Sequence, residues 1–166
     1  EANLMELPGG SLIGDRLIAL PTSQLPTHIF LTGVTTTAVY GSTLNSAFKT
    51  SITNIDSAQI IINDRSYPAE AYSCTTREGR LRAFHDYKLC CAKLCNDENL
   101  IDFESYSGEY GMLAFALDRF SASNEGSGEP IKTLPRVGTC TLRLKVNSAS
   151  NNAQSFIFFC IYDNTL

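Results

Sequence analysis

Alternation of apolar and polar residues with a period of two runs through most of the chain. It is cleanest from Thr139 to Val146: Cys140, Leu142, Leu144 and Val146 fall on one side, Thr141, Arg143 and Lys145 on the other. That is a strand with one face on a core and one in water. His28–Val34 predicts another, with Ile29, Leu31 and Gly33 on one face and Phe30 and Thr32 on the opposite one. Thr35–Tyr40 continues it with β-branched residues as far as Gly41-Ser42, and Phe48–Ile55 alternates in part. Ala58–Ile62 leads into Asn63-Asp64-Arg65-Ser66, which is turn chemistry, and Tyr67-Pro68 resumes; a hairpin is predicted there. Leu100–Phe103 and Tyr110–Leu117 read as strands. Gln154–Tyr162 is apolar on both faces, as expected of a strand central in a sandwich or covered by another domain.

Three stretches break the pattern. Over residues 77–95 the residues Leu81, Phe84, Leu89 (or Lys88), Cys91, Leu94 and Cys95 approximate a helical stripe, with Thr75 or Thr76 as cap and Glu78 in the first turn. Residues 1–26 are interrupted by Pro8-Gly9-Gly10, Gly14, Pro21 and Pro26 and read as an extended arm or linker. Within it, Leu12-Ile13 and Leu17–Leu20 are short apolar runs suited to edge strands. Asp118–Gly138 is a long link containing Gly126-Ser127-Gly128. About eight strands at regular spacing with one inserted helix (about 77–95) predict a mainly β fold, an eight-stranded jelly-roll sandwich occupying 27–166.

Composition narrows the function classes. At 166 residues the chain is sized for one domain and buries roughly 70% of its unfolded surface without staples. Charged residues are only 18% and the net charge is −4, with no basic block, so nucleic-acid binding by counterion release is not expected of this domain. No apolar run reaches membrane-spanning length, and no membrane partner is expected. The opening Glu1-Ala2-Asn3-Leu4 has neither a Met nor the pattern of a signal peptide, which suggests a processed or excised piece. Six cysteines allow three disulfides, yet Cys90, Cys91 and Cys95 crowd together, Cys140 and Cys160 sit in apolar strands, and no glycosylation sequon occurs. Reduced thiols are the favoured reading.

Each candidate for chemistry has too few members. Cys90, Cys91 and Cys95, with Cys74 and His85, lack the two separated pairs that zinc uses, so a helix face using Cys as a small apolar residue is preferred. His85-Asp86 suggests half of a general-base pair, but no nucleophile elbow accompanies it, and the other histidine, His28, starts a strand. Asp102 and Glu104, two apart on a predicted strand, with Asp118 beyond, lack an aromatic platform for a sugar; Trp is absent. Gly126–Gly128 precedes no helix and is not a phosphate cradle. The expectation is no enzyme, no catalytic residues, no metal and no cofactor.

From Pro26 onward a series of short motifs occurs in order. Pro26-x-x-Ile29-Phe30-x-x-Gly33-Val34 precedes Tyr40-Gly41-Ser42 and Asn45-x-x-Phe48. Ile60–Asn63, Tyr67-Pro68 and Leu81-Arg82-Ala83-Phe84-x-x-Tyr87 follow, then Tyr110–Leu117, Gly138–Leu142 and Tyr162-Asp163-Asn164. This resembles the C-terminal jelly roll of the double jelly-roll major capsid proteins of Polinton (Maverick) elements and adintovirus-like viruses. Phe115-Ala116-Leu117 stands where that family often has Phe-Asp-Leu, Asn45-Ser46-Ala47-Phe48 where it often has Asn-Pro-Phe, and one jelly roll stands where the family has two. The resemblance implies a structural protein of a virion or transposon-derived shell, assembled in the cytoplasm or nucleus of a host cell. It implies self-association as a homotrimer or larger unit, and contact with other capsid segments. The competing expectations are a secreted, disulfide-bearing module that binds carbohydrate or a receptor, and a hydrolase using His85 or the carboxylates.

Overall fold

The computed structural model describes residues 2–7, 14–20, 25–41, 43–44, 46, 48–95, 100–117, 138–146 and 154–162. Its organising element is the hairpin of β4 (Ile55–Ile62) and β5 (Arg65–Ser73). Asn63 and Asp64 both adopt positive φ, 46° and 64°, as a two-residue primed turn requires and as Asn and Asp tolerate. Outside this hairpin, β3 (His28–Thr35) pairs with β6 (Leu113–Ala116). Beyond those, β2 (Gly14–Ala19) pairs with β7 (Cys140–Val146), and outermost β1 (Ala2–Leu7) pairs with β8 (Gln154–Ile161). Among the described residues, these strands all pair antiparallel. Successive pairs alternate between two sheets, in the orders β1-β8-β3-β6 and β2-β7-β4-β5, joined side by side through β3–β8 and β4–β7.

The sheets close on each other as a sandwich. Ile29, Leu31, Leu113, Phe115, Phe156 and Phe158 of one sheet share a buried cluster with Ile60, Leu142, Leu144 and Val146 of the other. Along β7 burial alternates residue by residue as predicted, with Arg143 and Lys145 exposed. β8 lies between β1 and β3; Phe156, Phe158 and Cys160 face the core, while Ile157 and Phe159 lie on the outer face and Phe159 is exposed. The chain is therefore mainly β, an antiparallel sandwich.

The predicted helix forms as α2, Arg77–Cys95, following α1 (Thr36–Val39) and preceding α3 (Phe103–Gly108). The Thr76 hydroxyl accepts from the Gly79 N–H at 3.1 Å, capping α2. Its buried side differs from the predicted stripe: Ala83 and Cys90 are buried and Phe84 and Tyr87 half-buried, whereas Leu81 and Leu94 are exposed. Aromatic packing sets this rotation. The Phe84 and Tyr87 rings lie 5.0 and 5.4 Å from that of Tyr106, and Tyr87 meets Phe30 edge-on at 6.4 Å. Small residues Ala114 and Ala116 of β6 let the helix lie close.

Three other expectations are corrected. Thr36–Val39 is one helical turn, not more strand; Ala38 is buried and the Ser155 hydroxyl donates to Thr36 Oγ1 at 2.9 Å, turning the chain off the sheet. Residues 48–54 make only bridges, Gly33 with Ser51 and Thr50 with Tyr110. A Cβ on Gly33 would stand 2.9 Å from Ser51 O, so glycine permits that approach. The Leu100–Phe103 strand is replaced by the start of α3, where Asp102 Oδ1 accepts from Ser105 N–H at 2.7 Å; local capping outweighs apolar alternation there. Within residues 1–26, read as an arm whose apolar runs suit edge strands, β1 and β2 each supply an edge strand to one sheet, partnering β8 and β7. Most of the link 118–138 lies outside the described residues.

Candidate functional site: the faces and edges of the sandwich

Among the described residues, the side chains expected to carry chemistry do not converge. Cys74 faces the core between the sheets, whereas Cys90 lies under α2 against Phe30 and Ala114. Cys91 is half-buried, and the Cys95 side chain lies outside the described residues. Burial pushes the Cys74 and Cys140 thiols up to about 12, so both stay protonated near neutrality. Cys74, Cys90, Cys91, Cys140 and Cys160 are free thiols. Among the described residues, no three His, Cys, Asp or Glu gather to hold a metal ion.

His85 and Asp86 are neighbours at 3.6 Å, but His85 faces water while Asp86 turns toward the sheet. There Asp86 Oδ2 accepts from the Tyr72 hydroxyl at 2.7 Å, and Tyr72 also reaches Ala114 O at 3.3 Å. Burial first, and then the Asp86 carboxylate, hold the Tyr72 hydroxyl protonated. The Arg82 guanidinium lies over the Tyr72 ring at 5.4 Å. Asp86 thus fastens α2 across β5 and β6. His28 is buried with its Nδ1 3.1 Å from Thr27 Oγ1, on the strand far from His85 in sequence. Asp102 caps α3, and that hydrogen bonding lowers its pKa; Glu104 follows in the first turn. Asp118 and Gly126–Gly128 lie outside the described residues.

One shallow depression of about 220 Å³ opens on the outer face of the second sheet, lined by Asp15, Ser57, Ala58, Gln59, Ala71 and Arg143. Three of its polar side chains are engaged within the protein. Arg143 donates to Asp15 at 2.6 Å, holding that carboxyl below its usual range. The Gln59 amide donates to Pro68 O at 2.8 Å and Ala69 O at 3.2 Å. These carbonyls belong to a bulge in which two steps along β4, Ala58 to Ile60, are matched by five along β5, Tyr72 to Tyr67. None of the residues singled out from sequence lines this depression.

Apolar surface is the more distinctive feature. Tyr40, Leu44 and Phe48, between α1 and β4, are exposed, the last two at 91% and 86%. Phe48 adjoins Lys49, whose Nζ meets Glu109 at 2.7 Å. Leu100 is exposed at 91%, Leu17 of β2 also faces water, and Phe159 of the central strand β8 is only partly covered. The loop carries turn-type residues around these side chains, so periodicity alone does not flag it; the doubly apolar β8 does signal the Phe159 surface.

A two-layer antiparallel β-sandwich with a helix on one flank is the class that this fold defines. No family model matches the chain, and no curated protein matches it.

Proposed function

We propose that the chain is a structural jelly-roll domain that self-assembles into capsomers of a viral or transposon-derived shell. The observation that carries this reading is the strand order. The nested pairs β1/β8, β2/β7, β3/β6 and β4/β5, dealt alternately to two sheets, support reading the chain as one antiparallel ribbon rolled around a core, as in the jelly rolls of capsid proteins, lectins and cupins. Helix α2 enters between β5 and β6, matching the order of motifs that resembles Polinton-type major capsid proteins. Among those three users of the winding, the surface favours assembly. In the depression on the outer sheet Asp15, Arg143 and Gln59 are bonded within the protein, and large apolar side chains stand exposed at Tyr40, Leu44, Phe48 and Leu100. Buried free thiols in both sheets favour this reading over a disulfide-bearing secreted module.

Light scattering on purified protein across a hundredfold range of concentration tests the proposal. Dimers or larger units whose share grows with concentration are expected; a strict monomer throughout overturns self-assembly.

A further inference from the structure

We propose that β1 is the docking edge of the domain and that its occupant is β1 of a second copy, paired antiparallel about a two-fold axis centred on Leu4. The inference rests on the self-assembly reading above and names the surface that carries it.

A sheet edge presents a row of outward N–H and C=O groups, so the ligand that matches it is an extended polypeptide strand. The sandwich has four such edges, and three carry features that discourage strand addition. On β5, Pro68 removes an N–H and the bulge beside Gln59 breaks the row. On β6 the strand is only four residues long, α2 packs along it, and Tyr72 caps the Ala114 carbonyl. On β2, Arg16 stands opposite Leu144, a core-facing residue, which places a charge on the inward side of an edge strand.

β1 has none of these. Its six residues contain no Pro and no Gly, and its register with β8 runs unbroken from Ala2 opposite Phe159 to Leu7 opposite Gln154. Among the described residues, no strand lies on its far side. Next to it on β8, Phe156 and Phe158 are in the core, so Ile157 and Phe159 belong to the outer surface, where Phe159 is 37% exposed.

The sequence of β1 suits its own copy. Joining two sheets with outer face to outer face allows only registers that pair odd with odd positions and even with even. Centring on Leu4 puts Leu4 opposite Leu4 of the second copy, Asn3 opposite Met5, and Ala2 opposite Glu6. The one charged residue in the strand then never faces its own kind. Because Leu4 stands opposite Ile157, the same register continues an outer row of apolar positions across the junction. The contact is isologous, and it turns two four-stranded sheets into one of eight strands.

Sedimentation velocity on three forms tests this. Wild-type protein is expected to show a dimer, alone or as the building unit of larger species. Leu4→Lys and Leu4→Glu are each expected to lose it, since each places like charges opposite one another, and an equimolar mixture is expected to restore it. Leu4→Cys, a milder change, is expected to give a disulfide-linked dimer on a non-reducing gel after copper–phenanthroline oxidation, absent from wild type. Association of both charged variants as in wild type, or failure of Leu4→Cys to cross-link, overturns the β1 pairing while leaving self-assembly standing. A wild-type protein monomeric at every concentration overturns both.

Discussion

The two flanks of the sandwich are built differently. The flank of β5 and β6 is sealed: helix α2 crosses it, Tyr72 ties it to Asp86, a bulge and Pro68 disrupt the β5 edge, and a run of ring contacts, edge-on and tilted, joins Phe30, Tyr87, Tyr106 and Phe84. Among the described residues the flank of β1 and β2 is more open, each strand paired on one side only, with Arg16 the one guard on the β2 edge. A sheet that has to remain single seals its edges, while one that associates keeps an edge available. The difference between the flanks therefore says more about what the molecule does than any cluster of reactive side chains. On the sealed flank, polar groups such as Gln59 and Asp86 are engaged by the protein's own backbone and side chains.

If the sealed flank is a structural clamp, truncating its centre has the largest effect. Tyr106 is fully buried, packs its ring at a tilt against Phe84 and Tyr87, and donates to Met112 O at 2.9 Å. Tyr106→Ala is expected to cost about 3–5 kcal/mol in urea unfolding; a loss below about 1 kcal/mol would break the comparison. Gly111→Ala comes next. Its Cβ would lie 2.8 Å from Ile52 Cγ1 and from Tyr106 O, and overpacking there is expected to cost about 1–3 kcal/mol by the same measurement. Tyr72→Phe removes the hydroxyl bonded to Asp86 and Ala114 and is expected to cost about 1–2 kcal/mol without changing the state of association.

The thiols sharpen the contrast between interior and surface. With an aromatic disulfide reagent at pH 8, Cys91 is expected to react in the folded protein, while Cys74, Cys90, Cys140 and Cys160 wait for unfolding. The sign with pH follows from burial. Cys74 and Cys140 are raised from 9.0 to about 12 in the fold, so stability is unaffected by them below pH 9 and falls as pH rises from 9 toward 12, where only the unfolded chain ionises. A urea midpoint that increases over that interval contradicts the assignment. The smallest effect belongs to the open flank: Asp15→Asn breaks an exposed ion pair with Arg143, and no resolvable change of midpoint is expected.

What is legible in the sequence follows from how local each signal is. The Asn63-Asp64 turn, the strict alternation of β7 and the doubly apolar β8 depend on neighbours within a few residues, and each appears where predicted. The helix 77–95 also appears, but its buried side departs from the apolar stripe, since the partners that select it, Phe30, Ala114 and Tyr106, are distant in sequence. Alternation around Phe48–Ile55 mimics a strand although only Gly33 and Tyr110 are available to bridge it. β1 is obscured by the Pro and Gly residues that follow it; its partner β8 lies at the other end of the described chain. The open edge itself is invisible in sequence, because being an edge is a property of sheet order and not of composition.

Hydrogen–deuterium exchange by mass spectrometry at low and high protein concentration compares the flanks directly. The account predicts that peptides covering residues 2–7 gain protection as concentration rises, while those covering 65–73 do not change. Exchange in 2–7 that is the same at every concentration, or new protection confined to 65–73, would contradict it.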